Sequence, residues 1–405
     1  MAVKAAEVIA SVIDSGEIHT IVGLDEKIFG SHGDLFLFVR DYYMRHKSVP
    51  DRAVIKENFG DIDLPNVKGA SAYYVEAMCS EYVKMRIQVI TTKAAKNEEN
   101  FTPAQTLNNL LTSLSRLGQY TTSAKDLSLK DIGAAEEYFE RLRAQSELNG
   151  GTPGISTGFD TIDSAYTTGM SGGHAITLMG YSGKGKSMFS GLIGVNAWIQ
   201  GKKVMVISLE MTPEEYRERI YTMMGHGRFS LTKMGRGDVD PDDFREWARK
   251  NLADSTDFIV VSSEGNSSIT PHTIQAKIDL HRPDLVILDY LQLMSDNAKT
   301  GDMTRRMLNL SREIKLLAVA ANIPIISITA VTDEDNDKRD APPLVSQVAW
   351  SKGIEYDSNV IISIHRHTDT NIVEVVGRKN RHGELFSMFF EVDFDAGIWQ
   401  EKFDL

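Results

Sequence analysis

The stretch Gly180–Ser187, reading Gly-Tyr-Ser-Gly-Lys-Gly-Lys-Ser, constrains this chain more than any other. It fits the pattern G-x-x-x-x-G-K-[ST], follows the apolar run Ala175–Met179, which reads as a buried strand, and precedes a helix-like segment from Met188. A glycine-rich turn between strand and helix aims successive backbone N–H groups and the positive helix end at a polyphosphate. The expected loop comprises Gly180, Ser182, Gly183, Lys184, Gly185, Lys186 and Ser187, with Lys186 on the β- and γ-phosphates and Ser187 on Mg²⁺. A nucleoside triphosphate is the implied ligand.

From residue 151 onward, short β-branched strands alternate with helical segments. Val204–Leu209, Phe258–Val261, Leu285–Leu288, Ile323–Ile328 and Asn359–Ile364 are apolar at successive positions, as in a sheet covered on both faces. The fold class is therefore α/β with a mainly parallel sheet. Val373–Val376 and Phe386–Val392 suggest a closing pair of strands with a turn near His382 and Gly383. Residues 1–125 read instead as an all-helical domain, with helices expected over Asp34–Arg45, Val49–Phe59, Tyr73–Lys84 and Ala104–Leu117. Between them, residues 126–150 form a linker. Its helix places Ala134, Tyr138, Phe139 and Leu142 on one stripe and ends in the breakers Asn149–Gly154. That stripe packs either in its own domain or on a neighbouring subunit; the sequence leaves both open.

Composition narrows the class. One cysteine, Cys79, excludes an intrachain disulfide framework and a thiolate-rich zinc site, in keeping with a reducing cytoplasm. No apolar run approaches the roughly 20 residues of a membrane span. A net charge of −12 confines any nucleic-acid contact to a local groove.

Two carboxylates complete the expected chemistry. Asp289 ends the strand Leu285–Leu288, where an acid beside a phosphate loop reaches the nucleotide's Mg²⁺, usually through a bound water. Glu210 ends Val204–Leu209 at the carboxyl edge of the sheet, placed to activate the attacking water. The competing reading of Glu210 is a helix-start acid ahead of Thr212.

Together these residues resemble the replicative hexameric helicases of the DnaB type. The resemblance rests on Thr157–Asp160, the phosphate loop, Ser208–Met211, Ile287–Met294, Ile323–Ile326, Gly353–Asp357 and Lys379–Gly383, in that order, with Asp289–Met294 the most specific. It covers 151–400 well and 1–150 loosely. It implies a RecA-like ATPase core in a homo-hexamer that encircles single-stranded DNA and translocates on ATP hydrolysis. It also implies docking of a primase and a loader on the helical domain, and a phage gene expressed in a bacterial cytoplasm. Arg381 matches the family's arginine finger and Lys379 the lysine beside it, both directed at a neighbour's nucleotide. Candidate DNA contacts are Lys299, Arg305 and Arg306 in a polar, mobile loop after Asp289, together with Trp350 and Lys352. Ala330 stands where the family usually has a glutamine sensor, so that role either shifts to Thr329 or Thr332 or is absent. Two other functions fit the same loop: a RecA-like recombinase or regulatory ATPase, and a ring serving as loader or primase platform.

Overall fold

The computed structural model describes residues 2–96 except 61, 63 and 68, eight separate positions between 102 and 117, and 129–403 except 263–268, 332–339, 349 and 350. Most of the expected helix Ala104–Leu117, as well as Thr332 and Trp350, lies outside the described residues. The chain divides into two compact units, residues 1–127 and 128–405. No described helix is long and apolar enough to cross a membrane.

The first unit is helical: α1 (Ala2–Ser15), α2 (Gly33–His46), α3 (Arg52–Phe59) and α4 (Ser71–Lys96). In α1, Ala5, Val8, Ile9 and Val12 recur at helical spacing and are all fully buried. They meet Phe29 and Phe36, whose rings stack at 4.2 Å, and Met78 and Cys79 of α4. Asp51 caps α3 by accepting from Val54 N. Arg52 then closes the unit with paired hydrogen bonds of 2.8 and 2.7 Å to Asp14. Burial pushes the Cys79 thiol pKa up, so this cysteine is an inert part of the core.

The second unit opens with α5 (Ile132–Leu148), capped by the Asp131 side chain on Ala134 N and with none of its residues buried. After α6 (Asp160–Ala165), strand β1 (Ala175–Gly180) leads into α7 (Lys186–Ile199). There follow β2 (Val204–Ser208), α8 (Pro213–Met224), α9 (Leu231–Gly235), α10 (Pro241–Leu252), β3 (Phe258–Ser262), α11 (Pro271–His281), β4 (Leu285–Asp289), α12 (Met303–Ala321), β5 (Ile325–Ala330) and α13 (Ser351–Asp357). Strands β6 (Val360–Arg366), β7 (Ile372–Asn380), β8 (Ser387–Asp393) and β9 (Ile398–Lys402) complete the sheet.

The sheet order is β3-β2-β4-β5-β1-β6-β7-β8-β9. From β3 to β6 every pair is parallel; β7, β8 and β9 continue antiparallel. Strands β1, β2 and β4 are buried along their whole length, whereas β3 is half-buried because it is the edge. One core packs on the sheet through Phe189, Leu192 and Tyr216, and a second on the other face through Ile274, Leu310 and Ile314. Strand β5 begins two residues later than the apolar run suggests, after Pro324, which has no N–H to give the ladder. The expected closing pair is β7 and β8; β9 was not foreseen, since its residues Ile398–Lys402 alternate too briefly to stand out.

Candidate active site

Strand β1 is flanked by β5 and β6, so the loop leaving it emerges at the centre of the sheet's carboxyl edge. Gly185, at φ 97°, supplies the left-handed residue on which the chain turns into α7. Lys186 Nζ donates to Tyr181 O at 2.7 Å, holding the ammonium over the loop's own backbone. Lys184 Nζ instead turns outward to Arg366 O at 3.0 Å. The loop borders a cleft of about 500 Å³ that also receives Glu210, Arg219, Asp289, Tyr290, Ala330 and Phe394.

Asp289 comes to this cleft because β4 pairs with β2 in a register that sets Ser208 opposite Asp289. Its side chain is buried, and Oδ1 has no hydrogen-bond partner. Burial pushes its pKa up, the charge of Glu210 adds to that, and the Ser187 hydroxyl bond with Arg219 and Lys186 opposes it. A buried carboxylate oxygen without a partner, beside a hydroxyl, is the donor set of a hard divalent cation. Ser187 and Asp289 therefore fit the Mg²⁺ role expected of them.

Glu210 is exposed at the mouth of the cleft. The turn carrying it is stitched by Ser208, whose hydroxyl donates to Met211 O at 2.9 Å and accepts from Met211 N at 3.2 Å. Helix α8 starts only afterwards, with Thr212 and Glu215 forming a reciprocal capping box. Glu210 thus lies two residues ahead of the cap, and the capping box is made by Thr212 and Glu215 without it.

Arg381 and Lys379 lie at the opposite edge of the sheet. Arg381 N donates to Asn359 O at 3.0 Å, just before β6 begins, and Asn359 N donates to Ala175 O at 2.7 Å at the start of β1. The phosphate loop lies beyond the far end of β1, about 17 Å away at ~3.3 Å per residue. Arg381 Nη2 meets Tyr356 O at 2.6 Å, and Lys379 Nζ meets Glu355 O; both cations thereby cover the carboxyl end of α13.

The structure separates the expected DNA contacts. Lys299, Arg305 and Lys352 are exposed. Arg305 lies three residues before Leu308 of α12, and Leu308 packs on Gly353 of α13, next to Lys352, so these two cations share one region. Arg306 corrects the expectation: its Nε is buried, its Nη2 lies on Met303 Sδ, and its charge acts on buried Asp296. The expected mobile loop is tied down too, since Asp296 accepts from Thr300 N at 2.7 Å, Thr300 Oγ1 at 2.6 Å and Asn309 Nδ2 at 2.6 Å. Trp350 lies outside the described residues.

Four residues at or beside the site were not foreseen. Arg219 of α8 lines the cleft, as does Phe394, over whose ring the Arg366 guanidinium sits at 5.3 Å. Gln292 Nε2 donates to Thr329 Oγ1 at 2.9 Å and to Ala330 O at 3.1 Å. Thr329 is therefore engaged inward, and a glutamine does reach the end of β5, from the segment after β4. Only the β4–β5 pairing brings it there, a pairing that sequence spacing does not reveal. Nearby, Asp340, His365 and His367 converge. Asp340 accepts from Thr368 N at 2.9 Å, Thr368 Oγ1 at 3.0 Å and His365 Nε2 at 2.8 Å, which fills its Oδ1 and makes the group a clasp on the end of β6.

Residues 154–398 match the family described as DnaB-like helicase C terminal domain. A probable plasmid replicative DNA helicase of Chlamydia muridarum is 28% identical over 66% of this chain and 59% of its own length. The replicative DNA helicase DnaB of Helicobacter pylori is 23% identical over 95% of this chain and 83% of its own. The chain spans about half the length of the chlamydial relatives, 52% for that of Chlamydia psittaci. Among solved structures, a DnaB-like replicative helicase studied with its primase superposes with TM-score 0.66 at 20% identity, covering 98% of this chain and 99% of that one, and so shares the fold.

Proposed function

Because the chain belongs to the family of the DnaB-like helicase C-terminal domain, we propose that it is an ATP-dependent replicative DNA helicase. It works as a homo-hexamer on single-stranded DNA in a bacterial cytoplasm. The observation that carries this reading is the separation of Arg381 from its own phosphate loop by the length of β1. No side chain spans that gap, so Arg381 can serve only a nucleotide held by another copy.

In this reading the loop amides and Lys186 bind the triphosphate, the purine lies against Phe394 and Arg366, and Arg219 adds positive charge from the same subunit. Ser187 and Asp289 hold Mg²⁺, which when bound neutralises charge on the β- and γ-phosphates. Glu210 orients the attacking water and takes its proton. Arg381 of the adjacent copy, with Lys379, stabilises the charge on the transferring phosphoryl group, so hydrolysis waits for correct packing between subunits. Lys299, Arg305 and Lys352 from every copy converge on one strand. The helical unit of residues 1–125 docks primase and loader, and α5 docks on the next subunit.

The experiment is strand displacement on forked DNA with ATP and with a non-hydrolysable analogue. Unwinding with ATP alone supports the proposal. Hydrolysis without unwinding favours a RecA-like recombinase or regulatory ATPase, and neither activity favours a loader or primase platform.

A further inference from the structure

Within the Arg381 turn, one side chain is held far more firmly than a surface loop needs. His382 Nε2 meets Asn359 Nδ2 at 3.0 Å, and its ring stacks on that of His174 with centroids 4.1 Å apart and planes 20° from parallel. Its backbone is held as well: His382 N donates to Asn380 Oδ1 at 2.9 Å and Thr167 Oγ1 donates to His382 O at 2.6 Å.

The protonation states follow from the partners. Asn359 Oδ1 accepts from Lys315 Nζ at 2.7 Å and from Ala175 N at 3.1 Å, so its amide nitrogen must face His382. An amide nitrogen only donates, and His382 Nε2 therefore accepts and carries no proton. His174 Nδ1 is likewise an acceptor, from Tyr166 Oη at 2.5 Å and Ser171 N at 3.3 Å. Two neutral, stacked imidazoles thus join the turn to the base of β1. The backbone after them closes on α6: Glu384 N and Asn380 Nδ2 both donate to Ala165 O, at 3.1 and 2.9 Å. A Cβ at Gly383 would lie 1.8 Å from that same oxygen, so only glycine admits this approach.

We infer that His382 is a positioning residue for hydrolysis in the adjacent subunit, fixing the turn from which Arg381 projects by joining it to Asn359 and His174. This rests on the reading of Arg381 as a group acting in trans. Asn359 binds the backbone N–H of Arg381 with its carbonyl and the ring of His382 with its side chain, so the two neighbours share one anchor. Loss of the ring's contacts leaves the turn held only by its backbone ties and those of Asn380 and Thr167. A misplacement of about 1 Å at a reacting centre can cost on the order of a hundredfold in rate.

The test uses full-length His382→Phe, which keeps the stacked ring and loses the acceptor, and His382→Gln, which keeps an acceptor and loses the stack. Each is assayed alone and mixed with Lys186→Ala subunits, and Arg381→Ala mixed with Lys186→Ala is the control. The expected result is a roughly ten- to hundredfold lower kcat at unchanged KM for ATP, recovered in the mixture to the same extent as in the control. Recovery arises where a His382 variant contributes the pocket and a Lys186→Ala subunit the arginine. Wild-type kcat in both variants overturns the inference, as does a loss that intact donors do not repair. If one variant fails to form rings in sedimentation, the other decides. A control with no recovery sinks the trans role of Arg381 itself; recovery in the control but not with His382 sinks only the positioning role.

Discussion

Asp289 shows what the site costs the folded chain at the level of single residues. Its raised pKa means that burial disfavours the carboxylate more than the Ser187 hydroxyl, Arg219 and Lys186 favour it. Asp289→Asn should therefore raise the melting temperature of the nucleotide-free protein at neutral pH while abolishing Mg²⁺-dependent hydrolysis, a trade seen in paired thermal melts and ATPase assays. Lys186→Ala should weaken ATP binding, whereas Glu210→Gln should keep binding and lower turnover by about two orders of magnitude or more. Near-normal turnover in Glu210→Gln with single-stranded DNA present would remove the base assignment. The paired imidazoles give a pH dependence. Burial, followed by His382 and Lys315, pushes the His174 pKa from 6.5 down to about 4, and burial lowers His382 too. The unfolded chain takes up protons that the folded chain refuses, so this contribution is complete above pH 6.5 and declines as the pH falls toward 4. Melting temperatures measured across that interval should fall less steeply in His174→Asn than in the parent.

At the scale of elements, α5 has no buried residue among those described. Phe139 is 65% exposed and Tyr138 47%, with Leu142 half-covered on the same stripe. Covering three such side chains contributes about 1.5–3 kcal/mol each when complete. Replacing all three by serine should shift the rings toward monomers in sedimentation while the sheet domain keeps its melting transition; unchanged rings would refute docking on a neighbour. The same scale shows what the sequence revealed. The phosphate loop, Asp289 and Glu210 were legible because each sits at the end of a continuous apolar run, where strand and chemistry announce each other. Arg219 and Phe394 were not, because they reach the cleft from α8 and from the turn between β8 and β9, nor was Gln292, which reaches the end of β5 from the segment after β4; only sheet order unites those segments. Arg306 misled for the opposite reason: two adjacent arginines look alike in sequence, but helical geometry turns one outward and the other toward Asp296.

For the whole molecule, an acidic chain can grip DNA only by pooling its few converging cations. Lys352 and Arg305 share one region of the second unit, and Lys299 is exposed nearby in sequence. Binding should therefore require the assembled ring, ignore base sequence, and weaken with salt by a slope of about 0.7 per phosphate contact on single strands. Replacing Lys352 and Arg305 by alanine should flatten that slope and abolish DNA-stimulated ATPase without disturbing assembly. Equal affinity and slope in the variant would place the DNA path elsewhere. The opposed edges of the sheet also bear on assembly in the proposed ring. If Arg381 acts in trans as proposed, a subunit that offers the arginine at one edge of the sheet and the pocket at the other is a directed object, suited to heterologous association. Head-to-tail association leaves nothing unmatched only if the rotation closes. Open such a circle at a single seam to admit a strand, and it strands one arginine and silences one pocket, leaving the break itself legible as a missing turnover.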